Sequence, residues 1–120
     1  MSEKLNFLKR YGVDVETGIK NTMDEETYNE ILDDFFNEIP NNINRLGNFK
    51  VQGDMANYAI LVHSLKSNSR TLGFGAFGEI CYKHEMESKA GNTSFINSDF
   101  NNLVTSAQNV YAIIRAYKAL

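Results

Sequence analysis

The chain has 120 residues, of which 42% are apolar or aromatic and 22% are charged, and its net charge is −3. This length suits one compact domain that buries roughly two-thirds of the surface exposed by the unfolded chain, so residues 1–120 are predicted to form a single domain. Twelve Lys and Arg residues against fifteen Asp and Glu residues give no overall positive field. The charge therefore argues against nucleic acid and anionic membranes as partners.

Cysteine usage and hydropathy indicate the compartment. The lone Cys81 cannot form an internal disulfide and lacks the Cys and His neighbours of a structural zinc site, which favours a reducing environment. No apolar stretch approaches the roughly 20 residues that span a bilayer, and the first four residues lack the apolar run of a secretory signal. We expect a cytoplasmic protein, with a monomer as the default state.

Apolar residues recur at helical spacing, and strict apolar/polar alternation is hard to find, so the fold class predicted is all-α. Residues 5–11 are predicted to form a short helix. Asp14 is the expected N-cap of a second short helix that ends near Asn21.

A long amphipathic helix is predicted to begin after Asp24. Pro40 lies inside it and removes one backbone donor, so we expect a kink or a brief break at residues 37–41. The helix should end between Gly47 and Gly53. Its apolar stripe is Tyr28, Ile31, Leu32, Phe35, Phe36, Ile39, Ile43 and Leu46.

Three further helices follow. The first is capped by Asp54 and stops near Gly73. The second covers about residues 76–90, with Gly91 as a left-handed terminator, and the last starts near Ser94. Four long helices with short connections predict an antiparallel four-helix bundle, to which the short N-terminal helical segments are added. The stripe expected to face the core in the first of these three is Tyr58, Leu61, Val62, Leu65, Ser69 and Leu72.

One polar segment stands out on this helix. At about 100° per residue, His63 lies about 140° from Tyr58 and points to solvent, with Lys66 at about 80°, Arg70 at about 120° and Ser67 at about 180°. A neutral exposed imidazole is a nitrogen nucleophile, and the two cations would stabilise an anion attached to it. Periodicity alone fits ordinary surface residues more often than a phosphoryl site, and both interpretations remain open on this evidence.

Residues 63–73 resemble the signature of histidine-containing phosphotransfer (HPt) domains, which reads His-x-Leu-Lys-small-x-small followed by an aliphatic residue and Gly. Residues 12–19 are similar to the family's N-terminal segment, and the resemblance covers nearly the whole chain. Three positions depart from the family pattern. Ser67 stands where Gly is commoner, Asn68 where Ala or Ser is commoner, and Phe74 where Ala is commoner. The matching positions are His63, Leu65, Lys66, Ser67, Ser69, Leu72 and Gly73, together with Tyr28, Leu32, Phe35, Phe77, Cys81 and Glu85.

The resemblance implies a phosphorelay intermediate. His63 would accept a phosphoryl group from the aspartyl phosphate of one receiver domain and pass it to the Asp of another. Lys66 would stabilise the phosphoryl charge, Ser67 would leave room for docking, and Arg70 is a weaker electrostatic candidate. The implied partners are response-regulator receiver domains and a hybrid histidine kinase. The receiver would bring Mg²⁺, and this chain would bind no cofactor.

The resemblance implies a phosphocarrier and not an ATP-using enzyme, and consistently the sequence contains no phosphate-binding Gly-rich loop and no kinase signature. An alternative function is a helical adaptor that binds a receiver or histidine kinase without phosphotransfer. Residues 1–40 hold ten acidic and four basic residues, net −6, and residues 41–120 hold five and eight, net +3. The half with His63 would therefore suit an acidic receiver pocket.

The other candidate side chains have simpler interpretations. His84 lies on a core stripe and is expected to be a half-buried packing residue. A metal site built on His63 and His84 lacks the third and fourth ligands that metals need, which leaves a small metal-binding bundle as a weak alternative. Cys81 is expected in the core, and Glu85 and Glu87 at the exposed surface or its rim.

Overall fold

The computed structural model describes residues 2–120 and contains six α-helices and no strand within that range. The all-α prediction is confirmed. None of the helices in these residues is long and apolar enough to cross a membrane. The helices are α1 (Leu5–Arg10), α2 (Val15–Thr22), α3 (Glu25–Gln52), α4 (Met55–Leu72), α5 (Gly75–Lys89) and α6 (Thr93–Lys118).

The four long helices form a bundle about 44 Å long and 23 × 20 Å in cross-section. Connections of two or three residues join α3 to α4, α4 to α5 and α5 to α6, and such short connections make successive helices antiparallel neighbours. Helix α3 packs on α4 and α6, and α5 packs on the same two, which closes the bundle. The short helices α1 and α2 pack against its side.

Local sequence signals fix where the helices begin and end. Gly53 and Gly73 adopt left-handed conformations, with φ of 67° and 92°, immediately after α3 and α4, as predicted for helix-ending glycines. Gly91 has φ of 72° in the connection before α6. Four side chains accept the backbone N–H three residues further on and so cap α2, α3, α4 and α6: Asp14, Asp24, Asp54 and Asn92.

Helix α3 continues through Pro40 without a break, so an interruption at residues 37–41 does not occur. Pro40 is exposed, and its ring therefore costs one backbone hydrogen bond without disturbing the core. The apolar stripe is buried on both sides of it, at Ile39 and at Leu46. Packing of this stripe outweighs the local defect.

The core follows the predicted stripes. Every stripe residue of α4, from Tyr58 to Leu72, is buried, and α6 contributes buried apolar residues that include Ile113 and Ile114. Cys81 is fully buried as expected, and burial raises the pKa of its thiol to about 12, so the thiol stays protonated. It is a small core residue.

The C-terminal end of α4 is tied to the N-terminal part of the chain. Carbonyls in the last turn of a helix have no partner within it and need one elsewhere. The Tyr28 hydroxyl donates to the Leu72 carbonyl at 2.8 Å, and the Asp14 backbone N–H donates to the Gly73 carbonyl at 2.9 Å. A Cβ on Gly18 would lie 2.5 Å from the Tyr28 ring, which shows how closely α2 approaches this point.

Replacing Tyr28 with Phe should destabilise the protein, because the buried Leu72 carbonyl then loses its donor. We expect the free energy of unfolding to fall by about 1–3 kcal/mol, measured by urea denaturation followed by circular dichroism. Tyr11→Phe is the matched control, since Tyr11 is 59% exposed and should leave stability unchanged. Equal stability of the Tyr28 and Tyr11 variants would contradict this role of the hydroxyl.

Candidate functional site

His63 lies on α4 with a side chain that is 54% exposed, which agrees with its predicted orientation toward solvent. Its Nδ1 is 2.7 Å from a carboxylate oxygen of Glu85 on α5. An ionised carboxylate can only accept a hydrogen bond, so Nδ1 carries the proton and donates it. Nε2 has no hydrogen-bond partner among residues 2–120, and in the neutral ring this nitrogen keeps its lone pair.

Glu85 is buried, with 2% of its surface exposed, and the expectation of a surface or rim residue was wrong. Helix α5 packs closely on α4, and basic groups surround the carboxylate. Lys66 Nζ lies 2.6 Å from one oxygen, and Lys89 Nζ lies 2.8 Å from the oxygen that also binds His63. Burial opposes ionisation, but hydrogen bonds from these three residues outweigh it and lower the pKa of Glu85 to about 2. The carboxylate is therefore ionised at neutral pH.

Two lysines lie near the imidazole because they bind the same Glu85 carboxylate. Lys66 is only 14% exposed, and its ammonium group also lies 5.4 Å from the centre of the Tyr82 ring. Lys89 is 58% exposed and was not identified from the sequence. The available signal was its spacing of four residues from Glu85 on one helix, a spacing common to many surface ion pairs.

Unlike Lys66, neither Arg70 nor Ser67 binds the Glu85 carboxylate. Arg70 pairs with Glu79 at 2.8 Å, and its guanidinium lies 5.3 Å from the centre of the Tyr82 ring, so it does not join the group around Glu85. Ser67 is exposed one turn beyond His63 on α4, where its small side chain leaves the surface open.

A groove of about 720 Å³ lies beside His63, between α4 and the C-terminal part of α5. Ile60, one turn before His63, is 67% exposed on this surface. The groove suits an apolar surface of a partner more than a small charged ligand. Besides His63, Glu85 and Lys89, its lining includes Met55, Ala56, Ala59, Ile60, Ser64 and Ser88.

His84 is completely buried, whereas the sequence indicated a half-buried residue. Its Nδ1 lies 2.8 Å from the Tyr58 hydroxyl and its Nε2 lies 2.9 Å from an Asp99 oxygen. Both ring nitrogens are therefore engaged away from His63. Residues 2–120 contain no group of three or more His, Cys, Asp or Glu side chains arranged to hold a metal ion.

A family model described as Hpt domain matches residues 30–110, which is more than half of the chain. The matched range includes the whole group formed by His63, Glu85, Lys66 and Lys89. No significant match was found among curated proteins or among solved structures.

The low pKa of Glu85 predicts a specific pH dependence of stability. Because folding lowers this pKa from about 4.5 to about 2, the ionised carboxylate stabilises the folded protein above pH 4.5, and the contribution is lost as the pH falls to 2. Urea denaturation of wild type and Glu85→Gln should therefore give unfolding free energies that differ at pH 5 and converge near pH 2.

Other carboxylates are present in both proteins, so the difference between the two profiles isolates Glu85. Glu87→Gln is the matched control, because the Glu87 side chain bonds only Asn92 and should follow the wild-type profile. A constant difference between wild type and Glu85→Gln across this range would contradict the buried ion cluster.

Proposed function

The chain belongs to the Hpt domain family, and we propose that it is a phosphorelay intermediate whose phosphoacceptor is His63. In this proposal His63 receives a phosphoryl group from the aspartyl phosphate of one receiver domain and passes it to the Asp of another. The observation that carries the assignment is the half-exposed imidazole whose Nδ1 binds the buried Glu85, since in the neutral ring the proton then lies on Nδ1 and the Nε2 lone pair can react.

The transfer step requires no proton to leave His63. The Nε2 lone pair attacks the phosphorus atom, an N–P bond forms, and the P–O bond to the receiver's carboxylate breaks with its electron pair returning to that carboxylate. Positive charge develops on the imidazole as the N–P bond forms. The Glu85 carboxylate, hydrogen-bonded to Nδ1, stabilises this charge, and the transfer to the next receiver is the reverse reaction.

Two lysines are the proposed counter-charges for the phosphoryl group. Lys89 is the more exposed and can turn from Glu85 toward the phosphoryl oxygens, whereas Lys66 is held between Glu85 and Tyr82 and contributes a fixed positive charge. Arg70 contributes less, because Glu79 already neutralises it.

We assign the remaining components of the reaction to the partner. Glu85 is the carboxylate beside His63, and its two oxygens already bind three basic groups, so this site does not suit Mg²⁺. Mg²⁺ is expected to be supplied with the receiver's Asp. In this proposal the chain is a monomeric, cytoplasmic phosphocarrier with residues 1–120 as one domain, and it works with receivers and a hybrid histidine kinase.

The groove beside His63 is the proposed docking surface for the receiver. Its apolar lining at Met55 and Ile60 would contact an apolar face of the partner, and Ser67 would leave the approach to the imidazole open. Lys66 and Lys89 at the same site suit the acidic residues that surround a receiver's reactive Asp.

The direct test is incubation of the purified chain with a phosphorylated receiver domain and Mg²⁺. We expect wild type to acquire acid-labile, alkali-stable label, the behaviour of a phosphohistidine, and His63→Gln to acquire none. Circular dichroism and receiver binding should show that the His63 variant remains folded and competent to dock. Label on His63→Gln equal to wild type would refute the assignment, and binding without label from several diverse receivers would favour the adaptor function.

The docking surface is tested by Ile60→Asp. A charge in the apolar groove should weaken receiver binding by about tenfold or more, because the carboxylate loses solvation when the partner docks. Val51→Asp is the matched control, since Val51 is also exposed, at 84%, but lies outside the groove. Titration calorimetry should show weaker receiver binding for Ile60→Asp than for Val51→Asp. Equal weakening by both variants would mean that the receiver does not dock in this groove.

A further inference from the structure

A second polar network lies inside the bundle and takes no part in the transfer step. Tyr58 on α4, His84 on α5 and Asp99 on α6 form a chain of hydrogen bonds of 2.8 and 2.9 Å. Tyr58 and His84 are completely buried, and the Asp99 side chain is 33% exposed. The chain therefore links three of the four long helices through polar groups in an otherwise apolar core.

The direction of each hydrogen bond follows from chemistry. Burial lowers the pKa of His84, an effect that Asp99 opposes, and the ring is neutral at pH 7. The Asp99 carboxylate can only accept, so His84 Nε2 carries the proton, and Nδ1 accepts from the Tyr58 hydroxyl. Every buried side-chain nitrogen or oxygen atom in residues 2–120 has at least one partner, and a shift of α5 against α4 or α6 would leave one of these network atoms unpaired.

This network joins the same two helices that carry the reactive pair. Tyr58 precedes His63 by five residues on α4, a rise of about 7.5 Å along the helix axis. His84 is the residue immediately before Glu85 on α5. The hydrogen bond between His63 Nδ1 and Glu85 spans 2.7 Å, and hydrogen bonds weaken steeply when partners move apart by more than about half an ångström.

We propose that the Tyr58–His84–Asp99 network positions Glu85 against His63 and so holds the His63 ring in the form with Nε2 unprotonated. Tyr58, His84 and Asp99 are positioning residues, since none of them touches the phosphoryl group. The inference rests on the proposed function, because it assigns the network to the site where His63 reacts. Its distinguishing consequence is an effect on the protonation state of a ring that the network does not contact.

The test removes single hydrogen bonds from the network. Tyr58→Phe deletes the donor to His84 and keeps the ring, and Asp99→Leu deletes the acceptor at a partly exposed position. Tyr117→Phe is the matched control, because Tyr117 is equally a buried tyrosine whose hydroxyl bonds another helix, at Asn29, away from the α4–α5 contact. Asp99→Asn keeps an acceptor for His84 and serves as the conservative variant.

Two measurements report on His63 in each variant. The ¹⁵N chemical shifts of its ring nitrogens give the fraction with the proton on Nδ1, and phosphoramidate, a small phosphoryl donor, gives the rate of His63 phosphorylation without any receiver. We expect Tyr58→Phe and Asp99→Leu to move the proton toward Nε2 and to slow phosphorylation by about tenfold. Tyr117→Phe and Asp99→Asn should match wild type.

The outcomes distinguish the inference from the proposed function. Wild-type shifts and rate in folded Tyr58→Phe or Asp99→Leu would overturn the positioning role and make the network merely structural. An equal change in Tyr117→Phe would also overturn it, because the effect would then follow from any lost buried hydroxyl. If wild type accepts no phosphoryl group from receivers or phosphoramidate, the proposed function fails, while the ring shifts still decide the positioning role.

Discussion

The buried carboxylate of Glu85 is the interaction on which the candidate site depends. An ionised carboxylate inside a protein is tolerated only when its oxygens are fully paired, and here an imidazole and two ammonium groups from α4 and α5 provide the partners. Because these partners come from both helices, the ion cluster fixes how α4 and α5 pack together. The same hydrogen bond that satisfies Glu85 also decides which nitrogen of His63 keeps its proton. Under the proposed function, this contact therefore links the burial of Glu85 and the packing of α4 on α5 to the reactivity of His63.

The rest of the bundle makes this contact rigid. The C-terminal end of α4 is held by hydrogen bonds from the Tyr28 hydroxyl and from the Asp14 backbone N–H. These bonds oppose fraying of the last turn of α4. Along its length, α4 is linked to α5 and α6 through Tyr58 and His84. A site carried on packed helices keeps its geometry without a partner, whereas a loop would need the partner to order it. Under the proposed function, the chain can therefore present the same imidazole orientation to more than one receiver.

The sequence predicted those structural features that depend on the residues of a single helix. The capping residues Asp14 and Asp54, the terminator Gly73, the α4 stripe and the outward direction of His63 follow from spacing alone, and the structure confirms them. The burial of Glu85 could not be predicted in this way. A helical wheel places a residue relative to its own helix, and it does not reveal the bases that a neighbouring helix contributes. The full burial of His84 was missed for the same reason, since it depends on contact with Tyr58, which lies on α4. Lys89 was missed for another reason, because its spacing of four residues from Glu85 is common to many surface ion pairs. The helix is not broken at Pro40, because the effect of a proline is local, whereas the stripe that holds α3 together is buried on both sides of it.

The charges at the site suit a carrier that must both accept and release a phosphoryl group. Glu85, Lys66 and Lys89 together carry a net charge of about +1 when His63 is neutral, and a phosphoryl group of about −2 on an imidazole that becomes about +1 would change this to about 0. Both states then lie within about one charge of neutrality, so electrostatics favours neither strongly. A site with more cations would retain the phosphoryl group, and a site without them would resist its arrival. Because Glu85 neutralises one lysine at all pH values above its own titration, the cluster keeps this balance throughout the physiological range. Under the proposed function, the direction of transfer is therefore set by the partners and not by the chain itself.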